Sequence, residues 1–177
     1  LRFFAAGAVE RRMIMAAAKG WSARWAKLFG REDAGRADVL DVLYHRYVRE
    51  RQHAMRYSQH AERMHYPQFH HALRNLATEE EKHAGWIAAK IKELGGKLPQ
   101  VIPIHVPNEH NSWHYLRTDL EEEQRCVGEL EVAAPMLAAD FPEVAELLER
   151  IEYEGRSHRT QIRDMLARSD PQAAETP

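Results

Sequence analysis

Residues 67–96 read PQFHHALRNLATEEEKHAGWIAAKIKELGG. Phe69, Leu73, Leu76, Ile87, Ile91 and Leu94 recur at steps that keep them on one face of an α-helix. Pro67 is tolerated in a first turn, and Gly95-Gly96 stops the helix at its far end. Two positions hold the same phase without being apolar: Glu80 and His83. A long helix whose inward stripe is broken at mid-length by an acid and an imidazole governs the reading of everything around it.

Three more segments repeat the pattern. From Asp38, a plausible N-cap, to about Met64, the stripe is Leu40, Leu43, Tyr47, Ala54, Tyr57 and Ala61, and Glu50 holds the remaining place. From Ser112 to Ala138 it is Leu116, Leu120, Val127, Leu130, Ala134 and Leu137, interrupted by Glu123, with a bend expected at Pro135. The last helix opens with Asp140-Phe-Pro-Glu143, which has the spacing of a capping box, and runs to about Leu166. There Val144, Leu148, Ile151, Ile162 and Met165 face inward, and the in-phase gaps are Gly155 and His158. Between the second and third helices, Pro99, Pro103 and Pro107 recur at every fourth position, which no helix survives, so residues 97–111 read as an extended crossover. Short links inside each pair and one long link between pairs specify an all-α antiparallel four-helix bundle with a single crossover.

The flanks divide the chain further. Residues 9–29 carry Lys19, Arg24 and Lys27 beside Trp21, Trp25, Leu28 and Phe29, a basic amphipathic helix. Two roles are open to it: padding a groove of the main body or a partner, or lying on a membrane surface. Residues 30–37 read as a linker, so the expected division is an N-terminal helix and linker at 1–37, a bundle at 38–168 and a polar tail at 169–177.

Composition removes several function classes. The 177 residues balance 25 Lys+Arg against 27 Asp+Glu, a net charge of -2 that lacks the basic footprint of a nucleic-acid binder. A single cysteine, Cys126, excludes a disulfide framework and any site needing two thiolates from one chain. No run of apolar residues is long enough to span a bilayer, and the short stretch Phe3–Val9 is followed rather than preceded by Arg11 and Arg12, the reverse of a signal peptide. A cytoplasmic protein is the expectation. Eleven histidines stand out, though most read as solvated rings. His45, His60, His65, His70 and His71 flank the first hairpin and are assigned to helix ends or surface. His105, His110 and His114 with Glu109 cluster at the crossover and read as solvated loop residues.

The in-phase interruptions are different. Glu50, Glu80, His83, Glu123 and His158 all fall near the middle of their helices, so antiparallel pairing brings them to one depth. A buried carboxylate without a partner costs many kcal/mol, and the four stripes supply no Lys or Arg. A pair of metal ions is the economical compensation. Glu80 and His83 project from one helix face toward one point. Carboxylate and imidazole donors without thiolate suit iron, with manganese as the alternative. Tyr57 is expected beside the same pocket.

At these residues the sequence resembles a known family. Glu50 to Ala61 (ERQHAMRYSQHA) looks like the first helix of bacterioferritins, Glu80-Glu-Lys-His83-Ala84 like their second-helix Glu-x-x-His, and Asp119-Leu-Glu-Glu-Glu123 like their third-helix motif, whose last Glu is the ligand. The interval from His83 to Glu123 fits that family's crossover. The resemblance, over about 38–167, points to the ferritin-like diiron-carboxylate superfamily. It implies two iron ions, oxidation of Fe(II) with O2 or peroxide, an external electron donor, and a homo-oligomer of two or more subunits. The family's fourth helix carries a second Glu-x-x-His, but here Gly155 stands three residues before His158. Glu154, His53 or a water is left to fill that gap. Glu81 occupies the place of the haem-ligating Met, so haem is not implied.

Three functions follow as expectations. The first is a ferritin-like diiron protein oxidising Fe(II) for iron handling or oxidant defence. The second is a diiron oxygenase of an organic, membrane-associated substrate. The third is a scaffold or interaction module around a degenerate site.

Overall fold

The computed structural model describes residues 31–107 and 111–171. The expected helix at 9–29, Glu109, His110 and residues 172–177 lie outside the described residues. Four helices make up the rest: α1 (Arg31–Ala61), α2 (Pro67–Glu93), α3 (Ser112–Leu137) and α4 (Pro142–Ala167). The chain divides into two compact units, Leu1–Leu43 and Tyr44–Pro177; the second holds α1 from Tyr44 onward and all of α2, α3 and α4. No helix among the described residues is long and apolar enough to cross a membrane.

Ion pairs and hydrogen bonds between helices fix the topology. Arg51 with Glu81 and Arg74 with Glu62 at 2.6 Å run α1 antiparallel to α2. Arg49 with Glu122 at 3.1 Å and His60 with Asp119 at 2.8 Å do the same for α1 and α3. Lys90–Glu143 at 3.0 Å and His83–Glu154 at 2.9 Å set α2 against α4. Two helices both antiparallel to α1 are parallel to each other, so α2 and α3 cannot be joined by a tight turn. The chain must travel the length of the bundle between them, which is the work of the proline-spaced crossover. Its Ile104 carbonyl accepts from Gln59 of α1 at 3.2 Å, and Val106 is buried.

Helix ends follow from local chemistry, with three corrections to the sequence reading. α2 stops in a Schellman turn: Gly96 N–H donates to the Ile91 carbonyl at 2.8 Å, Gly95 N–H to Lys92 at 2.9 Å, and Gly95 takes a φ of 75° that a side chain would resist. α3 begins at Asn111, whose side chain accepts from the His114 N–H. The linker expected at 30–37 is helical from Arg31, so Asp38 lies inside α1 and is not its cap. Gly35 alone does not break a helix, since a single interior glycine costs only about 1 kcal/mol. The capping box at 140–143 does not form either. Asp140 stays in the preceding turn, Phe141 is the N-cap without a side-chain bond, and Pro142 opens α4 with its fixed φ.

The stripes are buried largely as their phase requires. Phe69, Leu73, Leu76, Ile87 and Ile91 of α2, Leu116, Val127, Leu130 and Ala134 of α3, and Val144, Leu148, Ile151, Ile162 and Met165 of α4 are all buried, whereas Leu40 and Tyr47 of α1 are half-buried. Tyr57, Ala61, Phe69, Leu73, Leu76, Leu116, Ile162 and Met165 form one continuous apolar cluster. Glu80 comes one helical turn after Leu76, so the polar residues begin where that cluster stops.

Candidate metal centre

Glu50, Glu80, His83, Glu123 and His158 are each 3% exposed or less. The phase that breaks the four stripes therefore does carry these side chains into the interior. Four of them enter two ligand-competent groups that share one residue, and His158 belongs to neither. Oxygen and nitrogen atoms of Glu50, Glu80 and His83 lie within 4.8 Å of one another, and so do those of His53, Glu80 and Glu123. Glu80 is common to both. The cavity between them is about 10 Å³, room for a single water-sized guest.

The histidines are held in a way that suits metal ligation. His83 Nδ1 is 3.5 Å from both Glu50 Oε2 and Glu80 Oε2 and is a buried polar atom with no hydrogen-bond partner. Its other nitrogen, Nε2, is 2.9 Å from Glu154 Oε2. His158 repeats the scheme: Nδ1 is 3.0 Å from Glu80 Oε1, and Nε2 is 2.7 Å from Glu79 Oε2. A metal-binding imidazole characteristically has its second nitrogen anchored on a carboxylate, which fixes both ring orientation and tautomer. Glu154 and Glu79 occupy that outer position. Glu154 is also bound by Lys82 at 2.8 Å and belongs to neither ligand group among the described residues.

One expectation about charge is corrected. The interior does contain a protein cation: Arg46, 4% exposed, whose Nε contacts Glu50 Oε1 at 2.5 Å. Its guanidinium also reaches Cys126, donating to Sγ and, at 3.4 Å, to the carbonyl. Arg46 lies one turn before Glu50 and therefore on the same face, yet the stripe ran through Leu43 and Tyr47 and passed it by. Metal ions are thus not the sole answer to the buried acids.

Electrostatics sort the carboxyls. Burial pushes Glu50 up, but the Arg46 charge, with Glu80 and His83 close by, outweighs it and holds Glu50 well below the usual range. Burial and then the Glu50 charge raise Glu80, while burial and the Glu80 charge raise Glu123. Burial works against the charged form of His83 and His158. The close carboxylates of Glu50 and Glu80 around His83, and of Glu80 and Glu123 around His158, win, taking His83 up to about 10 and His158 to about 9. Without metal, protons on these two rings supply the positive charge. His53 goes the other way: burial outweighs Glu123 and Glu50 and lowers it to about 4, leaving the ring neutral at pH 7.

Tyr57 stands where the sequence put it, 1% exposed, donating its hydroxyl to Glu123 Oε2 at 2.7 Å. Burial and the negative charge of Glu123 keep that phenol protonated. His60 lies in the last turn of α1, the helix-end placement expected of it, and is buried there: three residues past Tyr57 on the inward side, its Nδ1 meets Asp119 Oδ2 at 2.8 Å. His45, His65, His71 and His105 are exposed and His70 half-buried. Glu81 is exposed on α2 and paired with Arg51.

Gly155 leaves its place on α4 empty of donors. A Cβ built there would meet Glu123 Oε1 at 3.0 Å and Val127 Cγ2 at 3.2 Å, so Glu123 and the α4 backbone are already in close approach.

Known proteins share this fold. A bacterioferritin from Desulfovibrio desulfuricans, described with its diiron site in different catalytic states, superposes with a TM-score of 0.68 at 24% identity, covering 75% of this chain and 80% of its own. BfrA from M. tuberculosis follows at 0.66 and 21% identity, over 73% of this chain and 83% of its own. A ferritin-like, diiron-carboxylate protein from Bacillus anthracis str. Ames gives 0.63 at 21% identity, over 75% and 97%. A comparison with curated protein sequences finds no match. At these identities the structural likeness speaks to the fold. The sequence profile of the ferritin-like domain, however, matches residues 51–170, the segment that builds the bundle and most of its buried acid–imidazole centre. By that match the chain belongs to the ferritin-like domain family.

Proposed function

We propose that the chain is a ferritin-like iron protein that binds two Fe(II) ions in the bundle interior and oxidises them with O2 or peroxide. The observation that carries this reading is the pair of buried ligand groups sharing Glu80, with the unsatisfied His83 Nδ1 aimed into one of them. Oxygen and nitrogen donors without a thiolate in either group favour iron, with manganese as the alternative.

Iron bound here would supply one-electron chemistry, each Fe(II) giving one electron, so that two of them and two protons convert O2 to hydrogen peroxide. The protein's own residues do the rest. Glu80, common to both ligand groups, would serve both positions. Glu50 and Glu123 each serve one, and His83 and His158 present neutral nitrogens once their protons are displaced. Glu154 and Glu79 orient those rings from outside. Tyr57 holds one Glu123 oxygen through its hydroxyl and so sets which lone pairs face the interior. The water-sized cavity offers no room for an organic substrate among the described residues. That favours iron handling or oxidant defence over an oxygenase.

The external electron donor, the homo-oligomer and the absence of haem belong to the same proposal and rest on the family resemblance. Mixing metal-free protein with Fe(II) in aerated buffer tests the central point. Fe(II) should disappear faster than in a protein-free control, with about two irons consumed per chain in the fast phase. A rate equal to the control would overturn the oxidation reading, and iron-replete purification without bound metal would promote the scaffold reading.

A further inference from the structure

Three side chains converge beside the centre, none on the helix that lacks its carboxylate; His53 meets the Glu123 half and Arg46 the Glu50 half. They are His53 and Arg46 of α1 and Cys126 of α3. His53 is 2% exposed, and its Nδ1 is 3.6 Å from Glu123 Oε2. Its ring nitrogens otherwise lie 4.0 and 3.9 Å from Cys126 Sγ. These are long contacts for a buried imidazole, since a ring nitrogen normally finds an oxygen or nitrogen near 2.9 Å. His83 and His158 are each anchored on an outer carboxylate, whereas His53 has a nitrogen directed at the interior and only sulfur and a distant carboxylate to meet it.

We infer that His53 is the metal ligand that completes the second position in place of the side chain missing at Gly155. The inference rests on the metal-centre reading above and deepens it. Position 155 can contribute nothing, and an added Cβ there would press on Glu123. The space that a fourth-helix carboxylate would need is taken by Glu123 itself, which leans toward α4. His53 approaches from the opposite side, three residues after Glu50 and therefore on the same face of α1. With Glu80 and Glu123 it makes one nitrogen and two oxygen donors within 4.8 Å of one another. The exchange replaces an anionic donor with a neutral one. Arg46, inserted against Glu50, shifts the site further in the same direction. Two divalent ions therefore meet less negative charge than four carboxylates would give, and the second ion should bind more weakly than the first.

Anaerobic titration of the metal-free full chain with Co(II), followed by visible absorption and calorimetry, tests this independently of turnover. The parent should take two ions per chain in separable steps. His53→Ala should keep the tighter step within about twofold and weaken the other by at least about tenfold, the lower end of what loss of an outer-sphere partner alone produces. His53→Leu, which retains the packing volume, should behave alike and stands in if the alanine variant does not fold. Without any variant, the Co(II)-loaded parent should show hyperfine-shifted ring N–H resonances from three histidines. Two steps unchanged in both variants, resonances from only two rings, or a parent that takes a single ion would each overturn the His53 assignment while leaving a metal centre in place. A parent that takes no Co(II) would overturn the metal-centre reading itself.

Discussion

At the scale of single residues, the centre is defined by which polar atoms are satisfied and by what. In the proposed function Tyr57 acts through Glu123, to which it donates its hydroxyl. Tyr57→Phe removes one buried hydrogen bond to a carboxyl, so chemical unfolding should show a loss of about 1–3 kcal/mol. The freed Glu123 oxygen should also lower the rate of the fast Fe(II) phase with little change in stoichiometry. Arg46 makes the opposite prediction. Arg46→Met leaves Glu50 buried without its cation, which costs about 3–5 kcal/mol in metal-free protein. A divalent ion then takes over the compensating charge. Denaturant melts with and without Co(II) should therefore show a larger stabilisation by metal in this variant than in the parent.

Much of this centre was legible because a helix interior tolerates few polar residues. Glu50, Glu80, His83, Glu123 and His158 revealed themselves by occupying places where the period demanded an aliphatic side chain. The residues that escaped share one geometric trait. Arg46 stands four before Glu50, Asp119 and Cys126 four before and three after Glu123, and His60 three after Tyr57. Each is buried, because the inward face of a bundle helix is about 100° wide and holds more than one residue per turn. A stripe drawn with one member per turn is too narrow. Glu79 was hidden for another reason: it is partly exposed, and only the ring it anchors on another helix gives it a role.

Among the elements, α4 carries the clearest tension. Gly155→Ala should gain helix propensity of up to about 1 kcal/mol. The new methyl would sit at 3.0 Å from Glu123 Oε1 and 3.2 Å from Val127, tighter than such contacts normally run. The Glu123 terminus can give by a few tenths of an ångström; its aim cannot survive that unchanged. Thermal melts of the metal-free variant should stay within about 1 kcal/mol of the parent, since the two effects oppose. The weaker Co(II) step should move to lower affinity, and a titration in which both steps are unaltered would contradict the close approach. The helix termini were less legible than the stripes because caps are chosen by competition: Asp140 had the spacing of a cap, but Pro142 with its fixed φ began the helix at Phe141.

For the molecule as a whole, protons and metal compete for one interior. His83 and His158 are raised to about 10 and 9 when no metal is present, against about 6.5 in an unfolded chain. A raised histidine contributes stability that is complete below its unfolded value and fades as pH climbs through its folded one. The melting temperature of metal-free protein should therefore decline between pH 7 and 10. Metal-loaded protein, whose rings have already given up those protons, should decline less. Binding at pH 7.5 should release protons, measurable as a buffer-dependent heat in calorimetry, and affinity should rise with pH over the same window. Equal melting curves for the two forms across that range would contradict protonated rings as the resident charge.

Glu80 sits in both ligand groups, and this has a genetic consequence. Lesions at Glu50 and at Glu123 each strike one half of the centre, so a lineage that drifts at either keeps half an apparatus on which selection can still act. A lesion at Glu80 removes both halves in one step and leaves no intermediate to rescue. If the centre holds metal as proposed, its loss in descendants of this chain would be gradual through the outer acids and abrupt through the shared one.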